Sequence, residues 1–170
     1  MLLSAFLESQ GYKRISLTRN GLGHLETTGI LAGHAVRVLI DTGAGATIVA
    51  LPIAQDLGLE LISEGHTGGG AGGTNLETFK VKNNVSLTLD NAVPRPKALI
   101  AMDLSHVNAA LGLKGGSAVD VILGVDVFER QAAVIDYGTS SRFLRDAEGV
   151  EDKSDVQESS GEALLERSST

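Results

Sequence analysis

One carboxylate in this chain stands where a carboxylate is costly. Val38 to Ala50 read VLIDTGAGATIVA: an apolar run, then Asp41-Thr42-Gly43-Ala44, then small residues and a second apolar run. Strand-like segments on both sides push the turn between them toward the interior, where an unpaired charge is unfavourable. Two readings fit. Asp and Gly start an ordinary turn in just this way, the Asp side chain bonding backbone two residues on. Alternatively the chain holds an acid ready to exchange a proton. Thr42 would then bring a hydroxyl, while Gly43 and Ala44 leave room for another backbone, or a second copy of the loop, to come close. About 80 residues later Val121-Ile122-Leu123-Gly124 leads into Val125-Asp126-Val127-Phe128. On its own this is an apolar strand ending at Gly and turning into a helix.

The elements that must position these residues are mostly strands. Arg14 to Thr18 is a short strand, Asn20 to Gly23 a turn, and His24 to Leu31 a strand. Gly33-His34 links tightly into Ala35 to Ile40, apolar enough to be buried on both faces. Ala46 to Ala50 is another strand. Pro52 opens a short helix that Gly58 ends. Gly65 to Thr74, mostly glycine, reads as a mobile loop. Glu77 to Val81, Val85 to Leu89 and Lys97 to Ala101 read as strands, and Asp103-Leu104-Ser105 as the cap of a helix over His106 to Leu111. Val119 to Leu123 is a strand, Asp126 caps the helix after it, and Ala132 to Tyr137 with Arg142 to Arg145 close the sheet as a hairpin.

The 170 residues suit one domain: an N-terminal segment 1–13, a body 14–145 and an acidic tail 146–170. With no Trp and few other aromatics, the core must be aliphatic. With no Cys, disulfides, thiolate metal sites and Cys nucleophiles are excluded. Of the net charge of −7, the tail holds −6: eight acidic residues against Lys153 and Arg167. A nearly neutral body argues against a nucleic-acid partner. The tail has too few apolar residues to offset chain entropy and reads as disordered. No run approaches the roughly 18 apolar residues of a membrane span, and the start MLLSAFLESQGYKR lacks a basic leader. That start reads as a short helix packing on the body, and the localisation expected is cytoplasmic.

Other motifs are weaker. Gly68 to Gly73 spell G-x-G-x-x-G, but no strand feeds the motif, no helix follows and no Lys-Ser/Thr pair is present, so a nucleotide cradle is not supported. His24, His34, His66 and His106 show no close zinc-type pairing, though His66 sits at the base of the Gly-rich segment. Asp103, Asp120, Asp126 and Asp136 are read as caps and structural hydrogen-bond acceptors.

Taken together, IDTGA, the later ILG, and the stretches GHLETTGILAGHAVRVLIDTGA, IAMDLSHVN and ILGVDVFERQAAVIDY resemble the retropepsin-like aspartic proteases. The resemblance is to the single-lobe bacterial and cellular type and covers roughly residues 14 to 145. Ala44 fits that type. It implies an all-β acid-protease barrel with two or three short helices, homodimeric. It also implies that Asp41 is catalytic, that Thr42, Gly43 and Ala44 form the active-site loop and dimer grip, and that Ile122, Leu123 and Gly124 support the loop. The chain has one such loop, and Asp136-Tyr137-Gly138 is not a second copy, so two chains must meet. No metal or cofactor is implied.

Residues 65–75 are the expected flap, with Gly68, Gly69, Gly70, Ala71, Gly72 and Gly73 offering backbone to an extended peptide or protein substrate. Two departures stand out. Gly45 replaces the Ser of many bacterial relatives, and the flap tip lacks a bulky apolar residue. The function expected is an aspartic endopeptidase. The alternatives are a catalytically silent dimer that binds peptides or scaffolds, and an enzyme restricted to processing its own ends or one partner.

Overall fold

The structure, a computed structural model, describes residues 2–69, 75–82 and 84–146; for 64–69 and 75 only the backbone path is described. The chain begins with helix α1 (Leu3–Ser9), which inserts Leu7 against Tyr12 and Phe143. Strands β1 (Tyr12–Ser16) and β2 (Thr18–Arg19) flank buried Leu17, where the chain crosses from one sheet to another. The strand expected over Arg14 to Thr18 is therefore two strands.

Strands β3 (Leu25–Leu31) and β4 (His34–Ile40) form a hairpin whose loop residues, Ala32 and Gly33, have φ of 48° and 85°. Positive φ at both central positions matches the right-handed twist of the flanking strands. After β5 (Thr47–Ala50) comes helix α2 (Leu51–Asp56), opened by Pro52 and closed by Gly58 at φ 63°. Strands β6 (Leu61–Gly69) and β7 (Asn75–Val81) make a long antiparallel hairpin. Next come β8 (Leu87–Thr88), β9 (Leu99–Met102), helix α3 (Ser105–Gly112), β10 (Val121–Leu123), helix α4 (Val125–Arg130), β11 (Val134–Asp136) and β12 (Ser141–Arg145).

The large sheet runs β2-β3-β4-β10-β5-β9-β7-β6, with β8 on the edge of β3. Its core is aliphatic, as the composition requires: Val36, Val38, Val49, Val121 and Leu123 are buried on one face. On the other face Leu39 and Ile122 join Met102, Leu104 and Leu111 in a second cluster. β4 and β10 are thus covered on both sides.

The structure departs from the sequence expectations in several places. The final hairpin does not close the large sheet. β11 and β12 join β1 in a separate sheet of order β1-β12-β11, because β12 pairs with the chain's first strand rather than with a local neighbour. The strand expected over Val85 to Leu89 is only two residues long, since the chain turns back at Asp90 (φ 49°), with Leu89 and Ala92 exchanging backbone bonds. Gly65 to Gly69, expected as loop, continue β6, because the backbone ladder to β7 does not depend on side chains. Among the described residues no helix is long and apolar enough to cross a membrane.

Arg142 sits inside this fold. Its side chain is fully buried, its guanidinium lies 3.2 Å over the Phe128 ring, and none of its three nitrogens has a hydrogen-bond partner among the described residues. Burial pushes its pKa down to about 9, so it stays cationic at neutral pH. Stacking on the ring offsets part of the desolvation, but a buried unpaired charge destabilises the native state. Arg142→Met should therefore raise the midpoint of urea denaturation, with a gain in unfolding free energy on the order of 1–3 kcal/mol. A lower midpoint would show that the ring contact outweighs the desolvation.

Candidate active site

Asp41 follows the last residue of β4. β10 lies between β4 and β5, parallel to the first through Val38↔Val121, Leu39↔Ile122 and Ile40↔Leu123. It is antiparallel to the second through Val121↔Val49 and Ile122↔Ile48. The chain leaving β4 must therefore pass over the end of β10 before it can form β5. That crossing is the 41–46 loop, and this topology is why the carboxylate lies between two apolar runs.

The loop is fastened at several points. Asp41 N–H donates to the carbonyl of Leu123 (3.1 Å), and Val125 N–H donates to the carbonyl of Ala44 (2.8 Å). Gly124 packs so closely that a Cβ there would lie 2.3 Å from the Ala46 carbonyl oxygen and 2.9 Å from that of Ala44. Beneath the loop, buried Thr47 donates its hydroxyl to Asp126 Oδ1 (2.8 Å) and accepts from Gly124 N–H (3.2 Å). Asp126 Oδ2 also accepts from Lys97 N–H (3.3 Å). Asp126 was expected as a helix cap. Gly124 occupies that position, and Asp126, inside the first turn of α4, ties α4 to β5 and to the 97 segment instead.

Asp41 is half-buried, and its Oδ1 accepts from Gly43 N–H at 2.8 Å. Thr42 and Gly43 are exposed at the loop tip, and the Thr42 hydroxyl makes no hydrogen bond among the described residues. Asp136 forms a similar turn with a different outcome. Thr139 donates its hydroxyl to Oδ2 (2.7 Å), and Gly138 N–H donates to Oδ1 (2.9 Å). The Thr139 hydroxyl first, with the backbone donors of Gly138 and Thr139, holds the Asp136 carboxyl below the usual range. Asp103 is likewise lowered, by the backbone N–H and then the hydroxyl of Ser105, without capping α3, whose cap position is Leu104. Asp120 Oδ2 accepts from Arg37 N–H (2.8 Å), bracing β4 beside β10.

Asp41 stands at the rim of two cavities. One, of about 410 Å³, is walled by Leu39, Ile48, Met102, Leu104 and Ile122, with Gly43, Ala44 and Gly45 along its edge. The other, of about 180 Å³, includes Thr42, Ile135 and Tyr137. His24 borders both and His106 the first. The β6–β7 hairpin reaches toward the larger cavity. β7 is rooted on β9 through Thr78↔Met102, and Leu76 packs against the cluster of Leu39, Met102 and Ile122.

The structure therefore brings together Asp41, Thr42, Gly43, Ala44, Ile122, Leu123 and Gly124. Of the expected flap residues, Gly68 and Gly69 lie in β6, facing Leu76 and Asn75, while Gly70, Ala71, Gly72 and Gly73 lie outside the described residues. The side chain of His66 also lies outside them. Sequence reasoning missed the Thr47–Asp126 bond, the apolar wall from Met102 to Leu104, and Leu76, the hairpin residue that packs against that cluster. Leu76 was legible as the first apolar residue after the glycines; the others needed the pairing of distant segments.

The aspartyl protease family matches residues 27–127, more than half of the chain, and the chain belongs to that family. The described residues are mostly β with a few short helices. Among solved structures the chain is similar to the EIAV protease complexed with the inhibitor HBY-793, at 22% identity over 66% of this chain and 91% of that one, TM-score 0.47. It is similar also to a retropepsin-like aspartic protease from Rickettsia conorii, at 19% identity over 79% of this chain and 89% of that one, TM-score 0.49. A third is the retroviral protease-like domain of Ddi1 from Leishmania major, at 18% identity over 67% and 82%, TM-score 0.44. No curated protein matches the chain.

The clamp under the loop gives a direct test. Thr47→Val keeps the shape of the side chain but leaves Asp126 Oδ1 and Gly124 N–H without their buried partner. It should lower unfolding free energy by about 1–3 kcal/mol. Thr47→Ser should retain most of that stability, as read by denaturant midpoints. Equal midpoints for wild type and Val would show that the hydroxyl is not a structural tie.

Proposed function

We propose that the chain is an aspartic endopeptidase in which a water is activated between two Asp41 carboxylates, one from each subunit of a homodimer. Residues 14–145 carry the activity. The observation that supports this most directly is the half-buried Asp41, at the edge of an apolar cavity, on a loop fastened to β10. A single carboxylate is an incomplete acid–base device for amide hydrolysis, since one group must accept a proton while another donates. The chain holds one such loop. A second chain supplies the other.

Two carboxylates a few Å apart do not both ionise readily, so the pair holds one proton between them. The ionised member takes a proton from the water, the protonated member polarises the scissile carbonyl, and a tetrahedral intermediate forms. The exposed, uncommitted Thr42 hydroxyl is free to bond across the two-fold axis, and Gly43 and Ala44 let the loops approach. An extended peptide lies between the loop and the β6–β7 hairpin. Backbone groups of Gly68 and Gly69 lie in the hairpin arm, and the proposed flap also takes in Gly70, Ala71, Gly72 and Gly73, outside the described residues. Leu39, Ile48 and Ile122 offer an apolar wall to a substrate side chain.

Wild type and Asp41→Asn should be compared on a diverse peptide library from acid to neutral pH, with both sized by sedimentation. Asn keeps the acceptor for Gly43 N–H but cannot exchange the proton, so turnover should fall at least roughly 100-fold while the dimer persists. The wild-type rate should pass through a maximum, falling where the pair is doubly protonated and again where it is doubly ionised. Equal product patterns from the two proteins would remove the proposal. A stable dimer that binds peptides without turnover at any pH would make the chain a binding module.

A further inference from the structure

A further cavity, about 450 Å³, is not beside Asp41. It lies at the root of β7, against the 94–98 segment and the end of α4, and its wall carries Lys80, Lys82, Arg95, Lys97 and Arg130, with no carboxylate among its described lining residues; Lys80 and Arg130 each have an interaction of their own. Five of the chain's 14 Lys and Arg thus surround one hollow in a protein of net charge −7. Lys82 has an ion pair outside the wall, with Glu60 at 2.6 Å, and both partners are half exposed. A concave surface lined by one sign of charge concentrates its field and attracts the opposite charge.

The complementary charge begins close by. The N–H of Arg145, at the end of β12, donates to the Gln131 carbonyl (2.9 Å). The Gln131 side-chain amide donates to the carbonyls of Arg145 and Val93 (3.2 Å each), and its Oε1 accepts from Arg95 N–H (2.8 Å). One side chain therefore joins the point where the tail leaves the body to the segment that walls the cavity. From there the sequence continues through Glu148, Glu151, Asp152, Asp155 and Glu158, interrupted by one cation, Lys153. Each exposed ion pair is weak on its own. Tethering changes the balance, because a short linker holds the segment near its site at an effective concentration on the order of millimolar.

We propose that this cavity binds acidic peptide and that its occupant is the chain's own 148–158 stretch, docked in cis. The inference does not depend on the proteolytic reading of Asp41.

Zero-length carbodiimide coupling on the full chain, followed by peptide mapping, tests it. Equal amounts of isotope-labelled and unlabelled protein are mixed so that links within and between chains differ in mass. Lys82 and Lys97 should couple to carboxylates of 148–158 several-fold more often than Lys114 does, within single chains. The excess should vanish at roughly 1 M salt, where screening acts over about 3 Å. Arg95→Glu should reduce it several-fold; Arg95 itself does not couple, and its side chain is exposed, so the change acts through charge. Coupling at Lys114 equal to that at Lys82 and Lys97, yields unchanged by Arg95→Glu, or links found only between chains would each overturn the proposal.

Discussion

The contact of Gly124 with the 41–46 loop is the constraint on which the site depends. The carbonyls of Ala44 and Ala46 lie where a side chain at 124 would have to be. That approach lets Val125 N–H reach the Ala44 carbonyl and Gly124 N–H reach the Thr47 hydroxyl. Asp126 then fixes the Thr47 hydroxyl from below. Any residue larger than Gly would separate the loop from β10 and break these bonds together. The position of Asp41 is thus set largely by groups that touch neither its carboxylate nor a substrate. A carboxylate used for proton transfer gains from a rigid mount, because small displacements of a reacting group are costly in rate.

The same arrangement explains why β4 and β10 are apolar on both faces. One face seals the main aliphatic core through Val38, Val121 and Leu123. The opposite residues, Leu39 and Ile122, form the floor of the cavity beside Asp41. The sheet serves as interior and as cavity floor at once, so changing the floor also perturbs the centre of the fold. The β6–β7 hairpin is attached beside this cluster. Its root is bonded to β9, whereas its arm contributes Leu76 to the cavity cluster.

Much of this was legible locally. The tight link at Gly33 (read as Gly33-His34, one residue late), the Pro52-to-Gly58 helix, the strand before Asp41 and the one before Gly124 all depend on residues adjacent in sequence. The DTGA and ILG elements could be paired because a resemblance linked them. What escaped reading depends on distant partners. Thr47 and Asp126 are 79 residues apart, and neither signals the other. β1 and β12 come from opposite ends of the described chain, so the small sheet had no local signature. The glycines of β6 looked like loop because composition reports side chains, while a ladder is built from backbone. The cation-lined cavity collects residues from β7, the 94–98 segment and α4, and each was an ordinary surface charge when read singly.

Two Asx turns of this chain, at Asp41 and Asp136, show why a short motif carries so little on its own. Asp41 and Asp136 each accept from the N–H of a Gly two residues on, at 2.8 and 2.9 Å. In both, a Cβ on that Gly would come 3.2 Å from the carboxylate, so Gly suits both turns for the same reason. They differ in what surrounds the acid. Asp136 takes the hydroxyl of Thr139 as well, and its carboxyl is drawn toward the ionised form. Asp41 has one backbone donor, a threonine hydroxyl left uncommitted, and an apolar cavity beside it. A turn becomes a candidate for chemistry when its own hydrogen bonds leave part of the acid unspent and the fold gives that remainder somewhere to act.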